Sequence, residues 1–170
     1  AEGVTTQEFA DAHPALIIVG LVGSIDNDMV GTDMTIGADT ALHRILDAID
    51  QLTSTAASHQ RTFVVEVMGR HCGYLPLMAA VAGGADYVFT PEDPAGPGWQ
   101  DDLAEHLRLG REAGRRESIV LVAEGAHDRD GNELSTQLIA DTIQERTGED
   151  ARVTILGHVQ RVGTPSAYDR

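Results

Sequence analysis

The residue types most able to do chemistry are concentrated between Ser24 and Gly37. Asp26 and Asp28 lie two positions apart, and Asp33 follows five residues later. Carboxylates held close together raise one another's pKa, so keeping them clustered costs free energy. An acidic surface turn is the plainer explanation. The apolar run before the cluster and the glycines after it favour a binding or catalytic site.

That apolar run, Leu16–Val22, is rich in branched residues and predicts a buried strand. In parallel α/β sheets, ligands bind beyond the carboxyl ends of the strands. Further polar clusters also follow predicted strands, and we expect them to share that edge: Met68–Arg70 after Thr62–Val67, Glu124 after Ser118–Ala123, and His158–Arg161 after Arg152–Leu156. Carboxylates, arginines, a histidine and glycines together suit an anionic ligand that carries hydroxyls, such as a sugar phosphate.

Strand and helix patterns alternate along the chain with short connections, which is typical of a parallel sheet covered by helices. We predict one α/β domain over residues 16–170, with about five parallel strands and helices on both faces. Residues 1–15 are expected to be a linker, a short helix or a frayed start. Four further helices are predicted. The first covers Leu42–Leu52 and breaks at Ser54–Gln60, the second runs to about Ala82 with Pro76 in its first turn, the third covers Trp99–Ala113, and the fourth is capped by Ser135. A further strand is predicted at Tyr87–Phe89.

Composition narrows the class of protein. The 170 residues carry a net charge of −15, which argues against a partner that is nucleic acid or an anionic membrane. A membrane-spanning helix needs about 20 consecutive apolar residues, and the sequence contains no run of that length. Every basic residue other than histidine is arginine, so the chain has no phosphate-binding lysine loop, and any phosphate must be bound by arginine. The single cysteine, Cys72, suits a reducing compartment, and we expect a cytoplasmic protein.

Individual site candidates have ordinary explanations as well. Glu124 could begin a helix, His158 could be a structural histidine, and Arg70 could pair with a surface acid. Cys72 is expected to pack as a small apolar residue. Four arginines alternate with acids and are expected to form a solvated helix face: Arg108, Arg111, Arg115 and Arg116.

Several motifs together resemble the 6-phosphofructokinase family. They are Gly-Ser-Ile-Asp-Asn-Asp28, Ser-His-Gln-Arg61, Val-Val-Glu-Val-Met-Gly-Arg70, Ala-Glu-Gly125, Leu-Gly-His-Val-Gln-Arg161 and Gly-Thr-Pro-Ser-Ala-Tyr-Asp-Arg170. They occur in family order over nearly everything after residue 15. The amino-acid sequence of these motifs is most similar to that of the catalytic half of a fungal enzyme.

The resemblance implies phosphoryl transfer from MgATP to the 1-hydroxyl of fructose 6-phosphate, the committed step of glycolysis, in an allosteric oligomer. By resemblance Asp26 is the general base and Arg70 stabilises the transferring phosphate. The other positions that the family implies are Ser24 and Ile25 beside the sugar and transferred phosphate, Asp28 near Mg²⁺, Met68 and Gly69 at the sugar, Glu124 at its hydroxyls, and His158 and Arg161 at the 6-phosphate. Arg61 and Arg152 match arginines that reach into the site of an adjacent subunit or half.

The chain departs from the family pattern at two positions. Val162 stands where the family has the first of two glycines, which suggests a lost positive φ or a lost close approach, and Pro76 stands where alanine is frequent. The glycine-rich ATP-binding segments are expected upstream of residue 1, so we predict the sugar-phosphate part of a longer enzyme, inactive alone.

Two other functions remain open. A pyrophosphate-dependent relative typically has lysine where Gly23 stands, and a regulatory half that binds a sugar bisphosphate typically lacks the aspartate at Asp26.

Overall fold

The computed structural model describes residues 6–17 and 19–170. Its helices are α1 (Thr6–Ala12), α2 (Ala38–His59), α3 (Tyr74–Gly83), α4 (Trp99–Glu112) and α5 (Thr136–Thr147), followed by a 3₁₀ turn, Gly157–Arg161. Its strands are β1 (Gly23–Ser24), β2 (Ile36–Gly37), β3 (Thr62–Val67), β4 (Tyr87–Phe89), β5 (Ser118–Ala123) and β6 (Ala151–Ile155).

The main sheet has four parallel strands in the order β4-β5-β3-β6. A separate parallel pair joins β1 to β2. The predicted parallel α/β class is therefore confirmed, but the continuous sheet has one strand fewer than the five expected.

Side chains alternate across the two central strands and build a core on each face of the sheet. Val64 and Val120 pack with α4 and α5, in a cluster that includes Leu103. Val65 and Leu121 point the other way and pack with α2 and α3. This period of two divides the apolar residues between the faces, so the helices cover both sides as predicted.

The predicted strand at Leu16–Val22 does not form. Leu16, Ile17, Val19 and Leu21 are 54%, 84%, 79% and 82% exposed, while residue 18 lies outside the described residues. Strand structure begins only at Gly23, where β2 provides a partner. A strand needs hydrogen-bonding groups on a neighbour, and the described part of the chain offers residues 19–21 none.

The helix predicted to break at Ser54 continues to His59. Polar side chains in its last turns bond back to carbonyls of the same helix: the Thr53 hydroxyl donates to Ile49 O at 2.9 Å, and that of Ser58 to Thr55 O at 3.0 Å. Ala56 is buried on the core side. Local hydroxyl bonds and one buried contact thus extend the helix through a segment of weak propensity.

Other sequence predictions agree with the structure. Pro76 lies in the first turn of α3, where its missing N–H removes no helical bond. The Ser135 hydroxyl accepts from Leu138 N at 3.2 Å and caps α5. No helix among the described residues is both long and apolar enough to cross a membrane.

Candidate functional site

The acidic loop connects β1 to β2 and is folded by two residues with no charge. Thr35 is fully buried, and its hydroxyl donates to Ser24 O at 2.6 Å. Its backbone N–H donates to the Asn27 side-chain oxygen at 2.8 Å. Asn27 itself has φ 55°, a conformation that asparagine tolerates better than most residues. The loop is therefore held from within, and its carboxylates need not be hydrogen-bonded to shape it.

The Ser24 hydroxyl lies between the two carboxylate residues of the loop. It accepts from Asp26 N at 3.2 Å and donates to Asp28 Oδ1 at 3.3 Å. Ile25 turns the other way, against the α2 and α3 core cluster. The loop thus presents polar groups on one side and is anchored by an apolar residue on the other.

The environment of Asp26 raises the pKa of its carboxyl. Burial contributes most, and the negative charges of Asp28 and Glu124 raise the pKa further, whereas Arg70 and Arg161 act in the opposite direction. These four groups come from loops after β1, β3, β5 and β6, so the strand ends converge as the sequence predicts. A carboxylate with a raised pKa is better suited to accept a proton than an ordinary one.

The loop after β3 carries Met68, Gly69 and Arg70. The Gly69 and Arg70 amides donate to Glu124 Oε2 at 3.4 and 3.1 Å, and the Met68 amide donates to Gln160 Oε1 at 2.8 Å. Arg70 has φ 53°. A non-glycine residue there is strained, and the surrounding bonds offset that strain.

Two glycines allow this loop to pack closely. A Cβ at Gly125 would overlap the carbonyl oxygen of Arg70, and a Cβ at Gly69 would overlap that of Cys72. The Cys72 thiol contacts Asn27 O at 3.9 Å and so joins this loop to the acidic one. Burial raises the pKa of that thiol, which favours packing over reactivity.

The 3₁₀ turn after β6 exposes His158 and Arg161 and buries Gln160 completely. Val162, just beyond it, has φ −117°, which any residue adopts. This φ removes one of the two reasons expected for a glycine at position 162, the need for a positive φ. The positive φ, 105°, belongs to Gly163, where a Cβ would crowd the Arg44 side chain at 3.3 Å.

Arg61 and Arg152 are not brought to this site. They lie where β3 and β6 begin, at the opposite edge of the sheet. Both pair with one carboxylate oxygen of Asp150, Arg61 Nε at 2.7 Å and Arg152 Nη2 at 2.9 Å. Neither arginine can therefore serve the ligand that Asp26 faces in the same chain.

Sequence reasoning missed Asp169 and Glu66. The Asp169 carboxylate accepts from the Gly37 and Thr40 amides, both at 2.8 Å, and from the Thr40 hydroxyl. Glu66 lies within β3, and burial followed by the charge of Glu124 raises its pKa. The only signal for Asp169 was its place in the motif Gly-Thr-Pro-Ser-Ala-Tyr-Asp-Arg170, which gave it no role. A carboxyl in an apolar run was the available signal for Glu66.

Two grooves of the structure lie apart from Asp26. One of about 430 Å³ runs along β4 beside Trp99, and one of about 690 Å³ lies between α4 and α5. Within the described ranges, no three His, Cys, Asp or Glu side chains are placed to hold a metal ion. The site itself is an open edge with the Asp26 carboxyl, whose pKa is raised, and two arginines.

A parallel α/β domain with arginines at the carboxyl ends of its strands has the groups that bind an anionic ligand. The chain belongs to the phosphofructokinase family, whose sequence profile it matches over residues 3–170.

Curated relatives include the liver-type ATP-dependent 6-phosphofructokinase of Homo sapiens, 56% identical over the whole chain, and the muscle-type enzyme of Equus caballus, 57% identical over 99% of it. This chain spans 22% of the length of each. Among solved structures, phosphofructokinase from Saccharomyces cerevisiae matches with a TM-score of 0.87 and 54% identity, over 99% of this chain and 23% of that one.

Proposed function

We propose that this chain is the fructose 6-phosphate-binding and catalytic part of a longer ATP-dependent 6-phosphofructokinase. The observation that carries the proposal is Asp26, a carboxyl of raised pKa with Arg70 and Arg161 close enough to affect it. The 56% identity to an enzyme named as ATP-dependent favours ATP over pyrophosphate. Because the chain spans 22% of such relatives, the nucleotide-binding segments are assigned to polypeptide outside it.

In this proposal Asp26 takes the proton from the sugar's 1-hydroxyl as that oxygen attacks the γ-phosphate. A positioned base of this kind contributes about 10²- to 10⁴-fold in rate. Arg70 stabilises charge that develops on the transferring group, and its guanidinium can pair two oxygens at once. Binding is shared among Ser24 and Ile25 in the acidic loop, Met68 and Gly69 after β3, Glu124 at the sugar hydroxyls, and His158 and Arg161 at the 6-phosphate.

Of the residues assigned to the site, Asp28 is the one that suits Mg²⁺. Asp28 is exposed beside Asp26 and offers carboxylate oxygen, the ligand type that Mg²⁺ prefers. Magnesium at phosphate sites is commonly held by one or two carboxylates together with substrate phosphates. Asp28 is therefore assigned to the magnesium region, and MgATP, when bound, supplies the phosphoryl group.

Arg61 and Arg152 are proposed to serve a neighbouring subunit or half. Their position at the opposite edge from Asp26 supports this assignment, and beside Asp150 the Arg152 side chain is exposed and that of Arg61 is partly exposed. A guanidinium that reaches a phosphate across an interface forms a charge-assisted contact, worth roughly 1.5–3 kcal/mol. The functional unit is accordingly an oligomer, and cytoplasmic location is proposed with it.

The test is an assay of the full-length protein that contains this chain, with fructose 6-phosphate and either MgATP or magnesium pyrophosphate. We expect fructose 1,6-bisphosphate only with ATP. The chain of residues 1–170 alone should give no turnover. Turnover with pyrophosphate but not ATP would assign the protein to the other enzyme class. Sugar bisphosphate binding without turnover would identify a regulatory half instead.

A further inference from the structure

Three successive backbone amides after β3 are bound by side chains that follow two different strands, β5 and β6. Gln160 binds Met68 N, whereas Glu124 binds Gly69 N and Arg70 N. The sheet order explains this arrangement, because β3 lies between β5, which leads to Glu124, and β6, which leads to Gln160. The loop that carries Arg70 is therefore fixed from both sides.

Gln160 is unlike its neighbours in the 3₁₀ turn. His158, Val159 and Arg161 are exposed, but the Gln160 side chain is 0% exposed. Its Oε1 is used by Met68, while its buried Nε2 has no hydrogen-bond partner among the described residues. Burying an amide whose donor is unpaired costs free energy, and an apolar side chain of similar length would avoid that cost.

The neighbouring backbone needs such a restraint. Arg70 has φ 53°, a strained value for a side chain of its size, and Gly125 lies against its carbonyl. A strained residue keeps its conformation only when the surrounding bonds determine it. Met68 lies two residues before Arg70, so its amide fixes where the strained segment begins.

We propose that Gln160 is a positioning residue that links the turn carrying His158 and Arg161 to the loop carrying Arg70. One hydrogen bond, from Met68 N to Gln160 Oε1, sets the distance between the residues assigned to the 6-phosphate and the arginine assigned to the transferring phosphate. Sugar-phosphate binding to the turn thereby orders the catalytic loop. This inference rests on the function proposed above.

A purely structural role would have a different kinetic signature. Loss of packing alone lowers the amount of folded enzyme, which reduces apparent kcat and leaves KM unchanged. Loss of the link moves two sets of ligand contacts relative to each other. The KM for fructose 6-phosphate then rises while kcat falls, and small displacements of this kind reduce kcat/KM by about tenfold or more.

The experiment compares Gln160→Met with Gln160→Glu in the full-length enzyme. Methionine keeps length but removes the acceptor, whereas glutamate presents an acceptor to Met68 N in either protonation state. We expect Gln160→Met to raise KM and lower kcat, and Gln160→Glu to restore most of kcat/KM. Gln137→Met is the matched control on the exposed face of α5, where the same change should leave both constants unchanged. Parent kinetics in Gln160→Met, or equal impairment of both variants, would overturn the proposal.

A second measurement needs no variant and no activity. Hydrogen exchange of the parent protein should show the Met68 amide protected as strongly as Val65 within β3, and more strongly when fructose 6-phosphate is bound. Rapid exchange at Met68 would overturn the link to Gln160. Protection in a protein that lacks phosphofructokinase activity would instead leave the link intact and refute only the proposed function.

Discussion

Asp169 caps helix α2 at Thr40, 129 residues earlier in the chain. One carboxylate oxygen, Oδ2, accepts hydrogen bonds from the Thr40 amide and hydroxyl, and the other, Oδ1, accepts one from the Gly37 amide. Ser166 strengthens the link, since its amide donates to the Thr40 hydroxyl at 3.0 Å. The segment around residues 164–170 therefore fixes the start of α2, directly after the acidic loop and β2.

Asp169→Asn should destabilise the domain near neutral pH by about 1 kcal/mol, because asparagine keeps one acceptor oxygen but replaces the other with an NH₂ donor that faces backbone amides. Burial alone would raise the pKa of Asp169, but bonds from Gly37, Thr40 and Ser166 outweigh it and lower that pKa. A lowered folded-state pKa means that stabilisation is present above the ordinary value of 3.8 and is lost as pH falls through the lower folded value. Denaturant unfolding of parent and variant should converge at acid pH. A constant difference across pH, or an equal loss in the exposed control Asp141→Asn, would contradict this assignment.

Asp26→Asn in the full-length enzyme should lower kcat by about 10²-fold or more with little change in KM for fructose 6-phosphate. Amide replaces carboxylate at nearly constant shape, so binding survives while proton transfer does not. Steady-state kinetics provide the measurement, with Asp130→Asn in an exposed turn as the control. A kcat within a few-fold of the parent would remove Asp26 as the base.

The acid limb of the pH–rate profile should move when Asp28 is neutralised. The Asp28 charge helps to raise the pKa of Asp26, so Asp28→Asn lowers that pKa. The base then stays ionised to lower pH, and the fall in kcat/KM at acid pH should begin lower than in the parent. Arg161→Met removes a charge that lowers the same pKa and should shift the limb upward. Identical limbs in all three proteins would assign the limb to another group.

Val162→Gly should leave the KM for fructose 6-phosphate within about twofold, because φ −117° needs no glycine. Gly163→Ala should weaken binding, since the residue has φ 105° and a Cβ would press on Arg44. Isothermal titration with fructose 6-phosphate compares the two directly. Tighter binding after Val162→Gly would restore the view that the valine impairs the site.

Mixing Arg61→Ala subunits with Asp26→Asn subunits should restore some activity that neither possesses alone. Arg61 lies at the sheet edge away from Asp26. In the proposed oligomer it serves a neighbouring site, so the two variants damage different parts of that shared site. The mixing is done in a homo-oligomeric enzyme, or with matched halves of one that has two. Activity is plotted against the fraction of oligomers that contain both variants. No recovery in hybrids of confirmed composition would show that Arg61 acts within its own chain.

The fold followed from the sequence wherever side-chain periodicity and a partner strand agreed. β3 and β5 lie side by side in the core, and their apolar runs located them residue by residue. Leu16–Val22 has a similar composition, yet composition cannot reveal whether a neighbouring backbone is available. The four-stranded sheet differs from the predicted five for that reason.

The site was predictable where charged groups follow strands, because parallel topology brings those positions to one edge. Topology predicted that Asp26, Arg70 and Glu124 would lie at one edge, and Arg70 and Glu124 do lie close enough to affect the pKa of Asp26, whereas their roles remain predictions from the family resemblance. Gln160 and Asp169 were missed because their roles depend on backbone amides 92 and 129–132 residues away, which no local spacing encodes. The φ of Val162 also had to be observed, since a glycine in relatives does not reveal which of two adjacent residues needs the positive value.

The exposed apolar run at residues 19–21 affects how readily the isolated polypeptide self-associates in solution. A stretch of backbone that pairs with no strand among the described residues and carries exposed apolar side chains offers an edge to which another molecule can add. The net charge of −15 opposes such encounters, and added salt screens that repulsion while leaving the apolar attraction in place. Self-association of residues 1–170 should therefore increase with ionic strength, and light scattering in rising sodium chloride would follow it. Storage in dilute buffer, well away from the isoelectric point near 4.6, keeps the chain dispersed.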